Sequence, residues 1–186
     1  MRFQSILFTI AAMAAVPAAA QDKRAEIACV YAASDPRDLE LALDAMGVQD
    51  PDEEQNAARQ RITEQAGNCA VRFRWDDHRV GAAVMFAVGQ AGYDAAVRTL
   101  AGYGLSAGFL DGIADDIGPA GLEALEVEDE TLSNIELVLE SMTRRMAAEG
   151  VPLPVGGDEN FELGHQVRRG LLARNMRDRT LAGFDR

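Results

Sequence analysis

Several chemically useful residue types are scarce in this chain of 186 residues. It has two cysteines, two histidines and one tryptophan, and Lys23 is its only lysine. The cysteines form no C-x-x-C pair, and the sequence has no H-E-x-x-H motif and no histidine pair four residues apart. These absences leave a thioredoxin-type redox site and a zinc-protease site without support from the sequence.

Positive charge is also in short supply. The chain has 18 basic and 30 acidic residues, which gives a formal net charge of -12 at pH 7. A surface of this charge repels the phosphates of nucleic acids and anionic lipid headgroups. We therefore expect no nucleic acid partner, and we expect a cationic partner to be favoured over an anionic surface.

The glycine- and alanine-rich stretch Gly81–Gly112 lacks a long uncharged run. Asp94, Arg98 and Asp111 interrupt it, so no uncharged run within it approaches the 18 residues of a membrane span. Small residues also allow helix backbones to approach closely. We therefore predict buried, tightly packed helices here and no membrane span, with a homodimer through these helices left open.

The N-terminus, in contrast, has a recognisable targeting pattern. Arg2 is followed by Ile6–Val16, which is apolar apart from one threonine, and by the small residues Ala18–Ala20. This pattern is typical of a secretory signal peptide, and its apolar run is too short to span a bilayer. We expect residues 1–20 to be removed and residues 21–186 to form one all-helical domain in the periplasm or outside the cell.

Export gives the two cysteines a structural interpretation. In an oxidising compartment, Cys29 and Cys69 are predicted to form a disulfide rather than remain free thiols. Closing a loop of about 40 residues is worth roughly 4 kcal/mol in the chain-entropy model. A redox-active pair is the alternative, but the spacing of the two residues does not favour it.

Helix start and stop signals recur along the chain. Asp35-Pro36 and Asp50-Pro51 each place an acidic N-cap before a proline at the first helical position. Further predicted N-caps are Asp76, Asp94, Ser106, Asp129 and Asp158. Glycines readily adopt the left-handed conformation that ends a helix. Those expected at helix ends are Gly47, Gly67, Gly102, Gly118 and Gly150.

Apolar residues recur every three or four positions, as in amphipathic helices. One such stripe runs through Leu132, Ile135, Leu139, Met142 and Met146. The alternating segment 71–75 is interpreted as an extended link, because one short strand cannot form a sheet. Helices are predicted at 23–33, 37–46, 52–66, 77–91, 95–101, 107–117, 119–125, 130–149 and 159–182. The predicted fold class is all-α, a single compact bundle of about seven to nine helices with one disulfide.

The segment Gly104-Leu105-Ser106-Ala107-Gly108 matches the G-x-S-x-G nucleophile motif of α/β-hydrolases. With Asp129 or Asp158 as the acid, followed by His165, the chain order would be serine, acid, histidine. The motif requires a strand before the serine, but residues 94–102 have a helical pattern. A turn between two helices with Ser106 as an N-cap explains the same residues, and a serine hydrolase is the alternative function.

The densest polar cluster is Asp76-Asp77-His78-Arg79, and it allows two interpretations. Its carboxylate and imidazole groups could belong to a metal site completed by His165. Alternatively, Asp76 caps a helix and Asp77 interacts with the helix dipole. With so few histidines, we predict no metal and no other cofactor. We expect His165 to be packed and hydrogen-bonded at the edge of the last helix's apolar face.

Charge is unevenly distributed along the second half of the chain. Residues 111–162 contain fourteen acids and two bases, whereas residues 164–186 contain six arginines and two aspartates. The simpler interpretation is a set of solvated charges packed near one another. The sharper hypothesis is that Arg168, Arg169 and Arg174 contact a partner. With no complete catalytic site, we predict binding of an envelope protein or small ligand, in a stress, inhibitor or immunity-type role.

Overall fold

In the computed structural model, the chain consists of helices joined by turns. The structure describes residues 18–46, 48–126, 132–153 and 157–185, with the backbone alone at 18–22, 132–135 and 157–158. The helices in these ranges are α1 (Ala18–Ile27), α2 (Cys29–Ala33), α3 (Pro36–Asp44), α4 (Glu53–Phe73), α5 (Asp77–Ala101), α6 (Phe109–Ala124), α7 (Leu132–Glu149) and α8 (Gly157–Gly183). The described ranges contain no strand, which confirms the all-α bundle.

Some sequence predictions fall outside the described residues. They include most of the predicted signal peptide (residues 1–17), the predicted helix end at Gly47 and the predicted cap Asp129. These three remain predictions. The prediction of Asp158 as an N-cap is wrong, because α8 begins at Gly157 and Asp158 therefore lies inside the helix. The side chain of Asp158 lies outside the described part.

Helix α5 lies at the centre of the bundle, where it contacts α1, α2, α3, α4 and α8. One cluster of buried apolar side chains joins its second half to α6, α7 and α8, and includes Leu100, Phe109 and Leu163. A second cluster joins its first half to α1–α4, and includes Leu39 and Ile62. Each such side chain contributes about 1.5–3 kcal/mol when it is fully buried.

Glycines allow α5 and α8 to approach closely. A Cβ atom added to Gly89 would lie 2.9 Å from the carbonyl oxygen of Ala173 and 2.9 Å from the backbone nitrogen of Arg177. A Cβ added to Gly92 would lie 2.5 Å from a side-chain carbon of Leu43. The predicted close packing of buried helices is therefore confirmed at these two glycines.

The two cysteines lie at disulfide distance, as predicted from export of the chain. The sulfur atoms of Cys29 and Cys69 are 2.09 Å apart, and the bond joins α2 to α4. Beside it, the Trp75 indole N–H donates a 2.7 Å hydrogen bond to Glu26 Oε1. The Trp75 ring also packs edge-to-face on Phe184, with 5.8 Å between centroids. The disulfide thus reinforces the apolar cluster around the first half of α5.

Two of the predicted acidic caps are confirmed and one is displaced. Asp35 and Asp76 are the N-caps of α3 and α5, and each accepts a hydrogen bond from a backbone N–H of the first turn. The prediction for Asp50 is wrong, because α4 begins later. Asp52 and Gln55 form a capping box in which each side chain bonds the other's backbone N–H. Because the capping box satisfies two backbone N–H groups, a helix start after Asp52 is favoured over the start predicted at Asp50-Pro51.

The extended link predicted at residues 71–75 is largely wrong. Helix α4 continues to Phe73 and ends at Arg74, whose φ of 56° is left-handed. The backbone N–H of Trp75 then donates to the carbonyl of Ala70 at 3.1 Å. Val71 is 83% exposed, so the alternation does not mark one buried face. The left-handed turn, rather than a strand, directs Trp75 into the core.

Helix α5 is longer than its sequence pattern indicates. The predicted helices at 77–91 and 95–101 are one uninterrupted helix, so Asp94 is not an N-cap. Its carboxylate instead accepts hydrogen bonds from the Tyr31 hydroxyl at 2.6 Å and the Gln90 amide at 2.8 Å. The phenol that donates to Asp94 has its pKa raised to about 12 by that hydrogen bond and by burial. Contacts from another helix outweigh the tendency of aspartate to start a helix.

The predicted helix-ending glycines have different outcomes. Gly118 and Gly150 have positive φ values of 67° and 72°, at the kink in α6 and just after α7. Gly102 follows the end of α5 but has a right-handed φ of −63°. Gly67 lies inside α4, so the prediction of a helix end there is wrong. Ala66 and Cys69, on either side of this glycine, are buried, and their packing favours continuation of α4.

By length and composition alone, α5 could cross a membrane, with a mean hydropathy of 1.3 over its most apolar window. The core helix of a bundle meets the same criterion when its apolar residues face other helices. In the described part, α5 packs on helices from both halves of the chain. This arrangement is typical of a central bundle helix, and the absence of a membrane span stays a prediction.

Candidate functional site

Ser106 lies in the turn between α5 and α6. Its hydroxyl donates a 2.7 Å hydrogen bond to Glu149 Oε1, and its backbone N–H donates a 2.8 Å bond to Oε2 of the same carboxylate. The preceding element is α5, so a helix stands where the nucleophile motif requires a strand. The N-cap residue of α6 is Gly108. The prediction of Ser106 as an N-cap is wrong, because its side chain bonds the end of α7 instead.

The described contacts of Ser106 and His165 are with different groups. His165 lies on α8, and its ring packs edge-to-face on Phe161 with 4.4 Å between centroids. It borders an apolar surface, as predicted, but its side chain is exposed rather than packed. The structure therefore does not show the serine–histidine contact that a hydrolase needs.

The cluster beginning at Asp76 takes the capping arrangement. The Asp76 carboxylate accepts a 2.9 Å hydrogen bond from the backbone N–H of Arg79, and Asp77 and His78 are exposed in the first turn of α5. Across the described ranges, no group of three or more histidine, cysteine, aspartate or glutamate residues could hold a metal ion. The geometry supports a role in starting α5.

Two of the three arginines predicted to contact a partner form ion pairs within the fold. Arg174 is largely buried and donates a 2.8 Å hydrogen bond to Asp111 Oδ1, while Arg169 forms an ion pair with the end of α3. Arg168 instead donates a 3.3 Å hydrogen bond to the carbonyl oxygen of Leu125. It forms no ion pair with any residue that the structure describes.

A network around Asp116 is not apparent from sequence patterns. Its carboxylate accepts hydrogen bonds from the Ser141 hydroxyl at 2.5 Å, from Arg144 at 2.8 Å and from Arg145 at 2.8 Å. These donors, Arg145 first, hold the pKa of Asp116 well below its ordinary value. The network joins α6 to α7, and it therefore positions two of the elements that border the cavity described next.

A cavity of about 340 Å³ lies between α7 and α8, beside the end of α6. Its lining residues are Leu125, Val138, Leu139, Asn160, Phe161, Gly164, His165 and Arg168. Leu125 and Val138 form a buried apolar wall, and Leu139 and Phe161 form the more exposed edge. Small-molecule sites are mostly apolar, hold few polar groups and measure about 300–1,000 Å³. This cavity has those properties.

Helix α8 provides the polar side chains that line the cavity in the described part of the chain. Phe161, Gly164, His165 and Arg168 follow the i, i+3, i+4, i+7 spacing of one helical face, with Asn160 beside them. Phe161 is 69% exposed, which is high for a large aromatic side chain. Among the residues that the structure describes, the cavity therefore has apolar walls on α7 and at the end of α6, and hydrogen-bonding side chains on α8.

The apolar surface continues along α8 beyond the cavity. Arg168 also lines two adjoining depressions, which share Met46, Leu172 and Met176, and the second of these reaches Met85 in the first half of α5. Methionine side chains adapt their shape to different ligands. Arg168 thus lies where the cavity meets an adjoining, methionine-rich surface.

The buried face of α7 differs from the predicted stripe. Met142 and Met146 are buried as predicted, but Val138 is buried while Leu139 is 41% exposed. The prediction that Leu139 faces the core is therefore wrong, and the side chains at 132–135 are not described. Residue spacing within one helix does not identify the cavity, because its walls come from α7, α8 and the end of α6, and only tertiary packing brings them together.

Comparison with known proteins does not assign this chain to a family. No family model matches it, and no curated protein or solved structure matches it either. The cavity and its surrounding residues are therefore the observations that point to a function.

Proposed function

We propose that this is a secreted or periplasmic protein of the cell envelope that acts by binding, and that its α7–α8 cavity takes up the apolar part of a small ligand or protein partner. One observation carries the proposal, namely a cavity of about 340 Å³ with apolar walls and polar groups on one side. The signal-peptide pattern and the disulfide support export, because disulfides persist in oxidising compartments.

Binding is favoured over catalysis by the residues around the cavity. No serine, threonine, cysteine or lysine lines it in the described part of the chain. The Ser106 hydroxyl is hydrogen-bonded to a carboxylate in a turn formed by other elements. Arg169 and Arg174 are already paired with acids. Of the three arginines predicted to contact a partner, Arg168 is therefore the one that we assign to the binding site.

Narrowing the cavity mouth tests the proposal. Leu139→Trp places an indole at the exposed edge, and we expect it to weaken binding of the fluorescent apolar probe N-phenyl-1-naphthylamine by about tenfold or more, equivalent to about 1.4 kcal/mol. Fluorescence titration of the exported protein measures the affinity, and a thermal melt confirms that the variant is folded. The matched control is Val71→Trp, at a position on α4 that is 83% exposed. Equal probe affinity in both variants would contradict the proposal.

A covalent probe separates the proposal from the serine-hydrolase alternative. We expect a fluorophosphonate reagent to leave the folded protein unlabelled, because the described contacts of Ser106 include no histidine base. Labelling is read by mass spectrometry, with Ser106→Ala as the control. Labelling that disappears in this variant would establish the hydrolase instead.

A further inference from the structure

The proposed binding function leaves the class of ligand open, and the charge around the cavity narrows it. We infer that the cavity binds a single aliphatic chain ending in a carboxylate, with the chain against Leu125, Val138 and Leu139 and the carboxylate on the guanidinium of Arg168. This inference rests on the proposed function. It adds a ligand class and a residue that selects it.

The ion pairs along α8 set Arg168 apart. Four of the five arginines of this helix pair with acids of the described chain: Arg169 with Asp44, Arg174 with Asp111, Arg177 with Asp178 and Arg179 with Glu126. Within the same described ranges, Arg168 bonds only a neutral acceptor, the Leu125 carbonyl. A guanidinium has five N–H donors in a fork that matches a carboxylate. Donors are therefore left for an anion at the edge of the cavity.

The size of the cavity favours one chain. Its volume of about 340 Å³ is near the lower end of the range for ligand sites, so the space between α7 and α8 suits one aliphatic chain better than a fused ring system or a two-chain lipid. The described walls present apolar side chains, apart from the polar side chains of α8, among them Asn160 and His165. An apolar interior beside one guanidinium matches a molecule that is apolar along its length and anionic at one end.

The net charge of -12 increases the selectivity of this arrangement. An acidic protein repels anions in general, so an anionic ligand is retained only where a cation is close to it. A cationic amphiphile would be attracted by the whole molecule but repelled by Arg168 at the cavity. The contribution of the ligand's head group to affinity can therefore be measured separately from the contribution of its chain.

A series of simple amphiphiles tests chain and head group by isothermal titration calorimetry on the exported protein. For octanoate, decanoate and dodecanoate, we expect Kd to fall about fourfold for each methylene buried, until the cavity is full. We expect decanoate to bind about tenfold tighter than decanol, and decylamine to bind more weakly than decanol.

Variants of two neighbouring arginines assign the head-group contact. Arg168→Gln is expected to weaken decanoate binding by about tenfold and to leave decanol binding unchanged. Arg169→Gln, the matched control, removes an arginine that pairs with Asp44 and does not line the cavity, so both affinities should stay as they are. Equal decanoate affinity in the two variants would overturn the inference.

The outcomes separate this inference from the proposed function. If decanol binds as tightly as decanoate, and Leu139→Trp weakens both, the inference fails while the binding function stands. If no member of the series binds and Leu139→Trp leaves probe binding unchanged, both fail. Binding to phosphatidylglycerol vesicles, but not to phosphatidylcholine vesicles or free decanoate, would indicate a membrane surface and overturn the inference.

Discussion

Asp111, Asp116 and Glu126 show how the uneven charge of this chain is used at the scale of single residues. All three lie in the acid-rich part of the sequence, and each accepts hydrogen bonds from arginines of α7 or α8. Exposed pairs of this kind contribute little individually. A carboxylate with several donors is different, because its charged form is favoured by each of them.

Asp116→Asn is expected to lower the free energy of unfolding at neutral pH, because it removes the charge held by Arg144 and Arg145. The folded pKa of Asp116 lies below its unfolded value of about 3.9, so this contribution is complete above that pH. It is lost as the pH falls through the folded pKa. Urea unfolding at pH 7 and at steps below pH 4 measures the difference from the wild type, which should shrink in acid.

The neighbouring Asp115 provides the control for this prediction. Its side chain is 75% exposed, and its contact with Arg174 is longer, at 3.6 Å. Asp115→Asn should therefore change the stability less at neutral pH than Asp116→Asn does. A difference between wild type and Asp116→Asn that stays constant from pH 7 into acid would contradict the assigned pKa direction.

At the scale of elements, the packing of α5 on α8 depends on backbone contact. Gly89 and Gly92 face the backbone and small side chains of α8 and the side chain of Leu43, whereas Gly81 has open space around it. All three belong to the same helix and the same glycine-rich stretch. Their roles differ only because of what lies opposite each residue.

Gly89→Ala is expected to destabilise the protein by about 1–3 kcal/mol, because the added methyl group meets backbone atoms of α8 that cannot move alone. Gly81→Ala, in the same helix, should stabilise it by about 0.5–1 kcal/mol, since alanine loses less backbone entropy on folding. Urea unfolding curves measure both values. Similar effects of the two substitutions would contradict the close α5–α8 contact.

At the scale of the whole molecule, the disulfide and the proposed binding site belong to different apolar clusters. The disulfide and Trp75 belong to the cluster formed with α1–α4, and the buried wall residues Leu125 and Val138 belong to the cluster formed with α6–α8. Helix α5 contributes to both clusters. A perturbation of the first cluster should therefore change the global stability more than it changes the cavity.

Replacing both Cys29 and Cys69 by serine should lower the free energy of unfolding by about 2–4 kcal/mol, because the unfolded chain is no longer constrained. Decanoate affinity below the melting temperature should stay within about twofold of the wild type, a difference of roughly 0.4 kcal/mol. Trp75 fluorescence follows unfolding, and calorimetry follows binding. Loss of binding in the folded double variant would show that the cavity depends on the disulfide.

Local chemistry accounts for what could be predicted from the sequence. The fold class, the caps Asp35 and Asp76, and the pairing of the two cysteines depend on short-range patterns or on there being no other candidate partner. Where two local signals compete, as at Asp50 and Asp52, the sequence alone does not choose between them. In the structure, the reciprocal hydrogen bonds of the capping box select Asp52 as the N-cap of α4.

By itself, the sequence determined that this protein is a helical bundle with one disulfide, because helical periodicity and capping are properties of neighbouring residues. Only the tertiary structure decided that α5 runs through Asp94, that Val138 rather than Leu139 is buried, and that Arg168 borders the cavity without a described ion pair. Each of these depends on which residue lies opposite on another helix. A local pattern contains no information about that partner.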